Sequence, residues 1–357
     1  LLAMDLGTRE RSINSQYVRS GFTIATSSHS SQWSPKATYV LERDGGLLTL
    51  VSGVDVVRWD YGSTDNFGQN EQATQSNNAW FASADWLLAS GTRFVAGVRS
   101  ENVLKRADDP ANFVSYSRPD HLNAWDLGLS QPLSARLQLY GRAASAYRLP
   151  NVDENRFLAA ALRPQRTRDL EAGLKWTDRQ GSTAALRAFR QQAVDEIAYD
   201  PATFSNVNLD PTLRSGLELE GRVRLSPALA LYGSLQTVRA RYAQGPNAGL
   251  EVPLVSSVSG ALRVVWSVDA RQSVDVGLQH LGSARYGNDH ANTCASQIPA
   301  STLVDAGYRW QQGNMELTLA GSNLTDAKSY SQAFSCVTGS LYPDPGRALK
   351  AAVRWKF

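Results

Sequence analysis

Long apolar runs are missing from this sequence. No stretch approaches the ~20 consecutive apolar residues that a membrane helix needs, which excludes a helical membrane bundle. Charge of one sign is scarce as well. The net charge is +3 and the basic residues are spread rather than clustered, so no nucleic-acid partner is expected. Only two cysteines occur, Cys294 and Cys336. Free thiols are disfavoured in an exported protein, and one disulfide is the natural reading. Residues Leu1 to Gly7 lack the basic start and apolar core of a signal peptide; for an exported protein the N-terminus is then read as missing or trimmed.

Catalytic signatures are also lacking. His29, His121, His280 and His290 are isolated from one another. No Cys-x-x-Cys, His-Glu-x-x-His, Gly-x-Ser-x-Gly or phosphate-binding glycine loop is present. No catalytic residue, cofactor or metal is expected. Asp289 and His290 near Cys294 read as a solvated loop rather than a metal site, because the ligands are few and the cysteine has a better partner. Asn323-Leu324-Thr325 matches a glycosylation acceptor by accident; Asn323 and Asp326 are expected to satisfy backbone groups at a strand-to-loop turn.

What is present is alternation with a period of two residues, continuing to the last residue. Leu349, Ala351, Val353, Trp355 and Phe357 fall on one face; Lys350, Arg354 and Lys356 fall on the other. Leu213, Leu217, Leu219, Val223 and Leu225 oppose Arg214, Glu218, Glu220, Arg222 and Arg224, and Leu170, Ala172, Leu174 and Trp176 oppose Asp169, Glu171 and Lys175. Tight-turn signals recur at Asp44-Gly45-Gly46, Ser90-Gly91, Gln131-Pro132, Arg179-Gln180-Gly181, Ser226-Pro227, Asp269-Ala270 and Gln312-Gly313. Between them lie long polar stretches at 61–77, 107–120, 150–164, 200–211, 244–251, 287–299 and 325–345, read as loops. Short turns on one side and long loops on the other are the rhythm of a transmembrane antiparallel β-barrel. About 16 strands are expected, the first near Gln16 to Ser27. Trp59 and Tyr61, Trp80 and Phe81, Tyr308 and Trp310, and Trp355 and Phe357 have the composition of interface girdles.

From about Tyr140 onward the sequence resembles the barrel of TonB-dependent receptors. The motifs that carry this are Tyr140 to Asn151, Leu162-Arg-Pro-Gln165 with Glu171-Ala-Gly173, Asp195-Glu196-Ile197, Asn208 with Gly216-Leu-Glu218, and Val252-Pro253. The strongest are Ala320-Gly-Ser-Asn323-Leu-Thr-Asp326, Tyr342-Pro-Asp-Pro345-Gly-Arg347 and the strand ending in Phe357. Gln165 stands where the family usually has an acid.

The resemblance implies an outer-membrane barrel of 22 strands, preceded by a plug and a TonB-contacting segment. Nothing here resembles those two parts, so residues 1–357 read as the C-terminal portion of such a barrel. It implies active uptake of a scarce ligand, with a ferric siderophore as the leading class and cobalamin as the alternative. A passive porin or structural barrel is the reading from a different class, and an outer-membrane protease or lipase fails for want of a nucleophile and base. Implied partners are the TonB energy-coupling complex through the plug, outer-membrane lipid and lipopolysaccharide, the barrel-insertion machinery that reads a terminal aromatic such as Phe357, and a small-molecule metal chelate. Loop residues suited to an anionic, aryl-bearing chelate are Arg163, Arg166, Tyr199, Phe204, Tyr286, His290 and Phe334. The charged rows such as Glu218, Glu220, Arg222 and Arg224 are read as hydrating the wall, pairing across strands or contacting the plug, rather than as a translocation path. Cys294 and Cys336 fall in successive long loops on the same side, where they are expected to pair.

Overall fold

The computed structural model describes residues 1–112, 114–155, 158, 161–200, 203, 205–337 and 341–357. Strands dominate, and the described residues include no α-helix. In chain order the strands are β1 (Leu2–Tyr17), β2 (Phe22–Arg43), β3 (Gly46–Asp65), β4 (Asn70–Leu87), β5 (Arg93–Asp109), β6 (Val114–Pro132), β7 (Leu137–Arg148), β8 (Gln165–Thr177) and β9 (Thr183–Val194). A small hairpin, β10 (Ile197–Asp200) and β11 (Ser205–Asn208), interrupts the series. Then come β12 (Thr212–Arg224), β13 (Leu229–Tyr242), β14 (Val258–Ser267), β15 (Gln272–Leu281), β16 (Ser301–Gln312) and β17 (Met315–Ser322). A second hairpin, β18 (Tyr330–Ala333) and β19 (Leu341–Pro343), precedes the last strand, β20 (Ala348–Trp355). Leaving out the two hairpins, 16 strands follow one another in a single sheet.

The chain divides into two compact units. The first comprises residues 1–131, 142–169 and 193–209; the second comprises 132–141, 170–192 and 210–357.

In the first unit the strands are far longer than the ~9–11 residues that cross a bilayer: β2 has 22 residues and β3 has 20. Asp44 and Gly45 both have positive φ (52° and 73°), as a two-residue hairpin turn matched to strand twist requires. One face carries an apolar band with Trp33, Trp80, Trp86, Phe94, Val98, Trp125, Leu127 and Leu129 exposed on it. Trp86 and Phe94 sit opposite each other with ring centroids 6.1 Å apart. Beyond the band the same strands continue as polar ladder. Here the sequence reading is corrected in four places. Gln16 to Ser27 is not one strand: Gln16 and Tyr17 end β1, residues 18–21 form the turn, and Phe22 to Ser27 begin β2. The stretches 61–77 and 107–120 are mostly strand, with only Asn66–Gln69 and Pro110–Asn112 breaking the ladder in their described residues. Their polarity on both faces hid the alternation. Trp59 and Tyr61 belong to the polar face, not to a girdle, since Trp59 is in register with Ser30 and Gln75. Gln131 and Pro132 end β6, and the turn comes at Leu133, whose N–H donates to the Leu137 carbonyl at 2.8 Å.

In the second unit the turns from Asp178 onward fall at the expected places. Asp178 and Asp269 close two of them by accepting backbone N–H groups two to four residues ahead, Gln180 and Ser182 for the first, Arg271 and Gln272 for the second. This is the local bonding that makes aspartate a turn residue. Exposed Leu217, Leu219, Leu235, Leu262, Val276 and Leu278 share one face. On the last pair, Ala351 is opposite Leu319 and Val353 opposite Leu317, while Ala352 faces Thr318 and Arg354 faces Glu316. Directly paired residues point to the same side, so the apolar and polar sets separate as the alternation predicts. The charged rows pair across strands: Arg187 bridges Glu171 at 2.7 Å and Glu218, and Gln236 donates to Glu218 at 2.7 Å.

Candidate functional site

Two loci gather chemistry, one in each unit. In the first unit, register builds the site. Arg9, Ser30, Trp59, Gln75 and Lys105 form one row across five strands. The next row holds Arg11, Ser28, Tyr61, Ala73, Ala107 and Tyr116. All point to the polar face, because neighbouring rows are two residues apart on every strand. Trp59 and Tyr61 stack, with centroids 5.6 Å apart and planes 23° from parallel. The two alanines leave space, and Val152 fills it, 5% exposed and packed against Ala73, Ala107, Trp59, Tyr61 and Tyr116. The segment around Val152 is held by Lys105, whose Nζ donates to the Pro150 carbonyl. It is held also by Glu154, which accepts from the Asn151 N–H at 2.7 Å and pairs with Arg148 at 2.8 Å.

An open pocket of about 700 Å³ remains between these rows and residues 149–152. Arg9, Arg11 and Lys105 line it together with Trp59 and Tyr61, and no carboxylate does. Arg9 and Arg11 are exposed and make no ion pair among the described residues. A planar anion fits such a lining, since guanidinium groups pair with oxyanions and the indole and phenol faces stack on aryl rings.

Of the loop residues expected from sequence, Arg163 belongs to this unit but is already engaged. Its guanidinium pairs with Asp195 at 2.6 Å, which raises its pKa further above the usual range. Tyr199 lies on β10, 42% exposed. Arg166 is exposed on β8. Phe204 lies outside the described residues. Sequence reasoning missed Arg9, Arg11 and Lys105. Only the pairing register brings them together.

The second locus is a knot of three loops, 243–257, 282–300 and 323–347. Cys294 and Cys336 form a disulfide across 42 residues, with Cα atoms 6.1 Å apart. Asp289, 2% exposed, accepts the N–H groups of Thr293 and Cys294 at 2.6 and 3.1 Å. Arg285 pairs with Glu251 at 2.9 Å and reaches Asp289 at 3.4 Å; the Glu251 partner holds the Arg285 pKa above the usual range. His290 shares a 2.5 Å hydrogen bond with the Tyr242 hydroxyl. Tyr286 contributes its carbonyl to the Asp289 N–H at 2.9 Å. Phe334 packs edge-on against Tyr342, centroids 5.7 Å apart, and its carbonyl accepts the Asn288 N–H at 2.9 Å. Tyr286, His290 and Phe334 are thus gathered by the structure, mainly as parts of the knot. No group of histidine, cysteine and acidic side chains suited to a metal occurs among the described residues.

Sequence comparison sets these loci in a family. Residues 5–324 match the model described as TonB dependent receptor-like, beta-barrel. The chain belongs to the TonB-dependent receptor β-barrel family. Curated proteins include no match to it. Solved TonB-dependent receptors share the fold at low identity. The ferric-catecholate import receptor Fiu of E. coli K12 is 16% identical, with TM-score 0.79 over 94% of this chain and 55% of its own. The ferric citrate transporter FecA is 15% identical, with TM-score 0.80 over 100% of this chain and 58% of its own. The ferric yersiniabactin uptake receptor FyuA of Yersinia pestis is 15% identical, with TM-score 0.76 over 100% of this chain and 59% of its own. This TonB-dependent receptor barrel therefore spans somewhat over half the length of those structures. Its fold is the transmembrane antiparallel β-barrel of the family, and in the second unit short turns close one end of the strands while the loops 243–257, 282–300 and 323–347 lie at the other.

Proposed function

We propose that the chain is the barrel portion of an outer-membrane receptor that actively takes up a ferric siderophore carrying anionic aryl groups. The observation that carries this reading is the pocket lined by Arg9, Arg11, Lys105, Trp59 and Tyr61 without a carboxylate. The long-loop end is read as extracellular, and the pocket on the polar face as an early station for the ligand. A plug and its TonB contact, elsewhere in the protein, would supply the pull. Likeness to solved receptors, a ferric-catecholate import receptor among them, supports an iron chelate over a passive pore. No bond is made or broken in the ligand; selection rests on charge and stacking.

The test is binding of labelled chelates to outer membranes that contain the receptor. A ferric catecholate is expected to bind and to weaken as salt rises, because exposed ion pairs are screened. Trp59→Ala and the Arg9→Gln/Arg11→Gln pair should each lower affinity about tenfold, or ~1.4 kcal/mol. Binding of cobalamin instead, or affinity for the catecholate that none of these changes moves, would overturn the assignment.

A further inference from the structure

In the second unit, a cavity of about 550 Å³ lies between the polar face of the sheet and the base of the β18–β19 hairpin. Glu218, Glu220 and Ser234 line it from the sheet, and Ser329, Tyr330 and Asp344 line it from the hairpin. No lysine or arginine does so among the described residues. Register fixes the sheet side, with Glu220 directly opposite Ser234 and Glu218 opposite Gln236. The hairpin side is fixed by the Asp344 N–H, which donates to the Ser329 carbonyl at 3.0 Å. His280 also borders the cavity. It alternates to the other face, where its ring shares a 2.9 Å hydrogen bond with Thr302.

Negative charge is left over here. Arg187 serves two carboxylates, Glu171 at 2.7 Å and Glu218. Arg222, the next basic residue along β12, lies over the Tyr232 ring, 5.3 Å from its centroid. Glu220 is exposed and Asp344 half-buried, and neither forms an ion pair among the described residues. A second, independent feature is Ser329. It is 8% exposed, and its Oγ has no hydrogen-bond partner among the described residues. A buried hydroxyl without a partner is costly, and a donor seated in the cavity would relieve it.

We propose that this cavity binds an aliphatic ammonium group, held by the Glu220 and Asp344 carboxylates and the Ser329 hydroxyl, with the Tyr330 ring beside it. An ammonium brings three donors and no acceptor, which matches carboxylates and a hydroxyl that lack donors. Carboxylates without a counter-cation set the sign of the ligand, and an aromatic face adds attraction for a cation. The lining is thus the reverse of the first-unit pocket, which has cations and no carboxylate. The inference is independent of the ferric ligand proposed for that pocket.

Calorimetric titration of the purified, detergent-solubilised receptor with 1,5-diaminopentane tests it. Saturable binding that weakens as salt rises is expected. Glu220→Gln/Asp344→Asn should lower the affinity at least tenfold. Ser234→Lys, which sets a tethered ammonium opposite Glu220, should abolish binding; Ser234 is exposed, so the longer side chain has room. Heat-modifiable migration confirms that each variant is folded. Glu316→Gln, which removes a carboxylate paired with Arg309 at 3.0 Å elsewhere in this unit, should leave the affinity within twofold. Equal binding of 1,5-pentanediol would overturn the proposal by giving the cavity to hydroxyl ligands. So would an affinity unmoved by the double variant, or lowered as much by Glu316→Gln, which would reduce the effect to the general charge of the polar face. Binding of the ferric catecholate by the same preparation is a separate readout, so failure of one reading does not carry the other with it.

Discussion

The Asn208 side chain brackets the peptide of Arg163: its Oδ1 accepts the Arg163 N–H at 2.8 Å and its Nδ2 donates to the Arg163 carbonyl at 2.9 Å. The same Nδ2 also donates to the Asp195 carbonyl at 2.9 Å. One amide thereby ties together three stretches of loop, and the Arg163–Asp195 ion pair is oriented by it. Asn208→Ala should cost about 1–3 kcal/mol of local stability, because two carbonyls and an N–H lose their partner together. Hydrogen exchange at Arg163 should accelerate while exchange in β2 and β3 stays unchanged. Uniform acceleration along the chain would contradict this.

Removing the disulfide by Cys294→Ser/Cys336→Ser should loosen the loop knot without unfolding the sheet. Closing 42 residues is worth about 4 kcal/mol on the chain-entropy model. That is an upper figure, because the strands already tether both loops. The reduced protein should keep its far-ultraviolet circular dichroism, while protease should cut within 282–300 or 323–347. Protease resistance equal to that of the oxidised protein would show that Asp289 and the backbone contacts hold the knot alone.

The turn closed by Asp269 should depend on pH. The Arg271 N–H, with the Gln272 side chain and N–H, holds the Asp269 carboxyl below its usual range. A depressed carboxylate contributes stability that is fully present above the unfolded value, about 3.9, and is lost as pH falls through the folded value. Amide exchange at Arg271 and Gln272, corrected for intrinsic rates, should therefore rise below about pH 4. Asp269→Asn should abolish that dependence, and a pH response retained by the variant would place its origin elsewhere.

Register in the last strand can be read with paired substitutions. Ala351 is opposite Leu319 and Ala352 is opposite Thr318. Ala351→Arg sets a cation on the apolar face and should cost ~2–4 kcal/mol at the bilayer midplane. Ala352→Arg should cost far less. The reverse order would invert the faces. Deleting Phe357 should lower the amount of folded, heat-modifiable protein in outer membranes, if the insertion machinery reads the terminal aromatic.

The strands that cross the apolar band were legible from alternation alone, β12 and β20 most clearly. Alternation needs one apolar face, so it failed where β2 to β6 run on with both faces polar, and 61–77 and 107–120 passed for loops. The same blindness affected the pocket. Trp59 and Tyr61 looked like a girdle because an aromatic near a strand end carries no mark of which face it uses. Arg9, Arg11 and Lys105 are 96 residues apart at the extremes, and nothing local links them. By contrast, Cys294 and Cys336 were placed in successive loops by counting turns, because loop order follows strand order.

The polar ladders of β2 to β6 also constrain how this region can vary between related proteins. A single residue inserted into 22–31 or 56–64 would turn every later side chain of that strand to the opposite face, bringing Ser30 and Trp59 out of their shared row. Two-residue steps preserve the row but lengthen the hairpin. Lineages should therefore differ here by exchange of side chains, with length changes confined to coils such as 243–257, and an immune or phage epitope on this wall would diversify without altering its height.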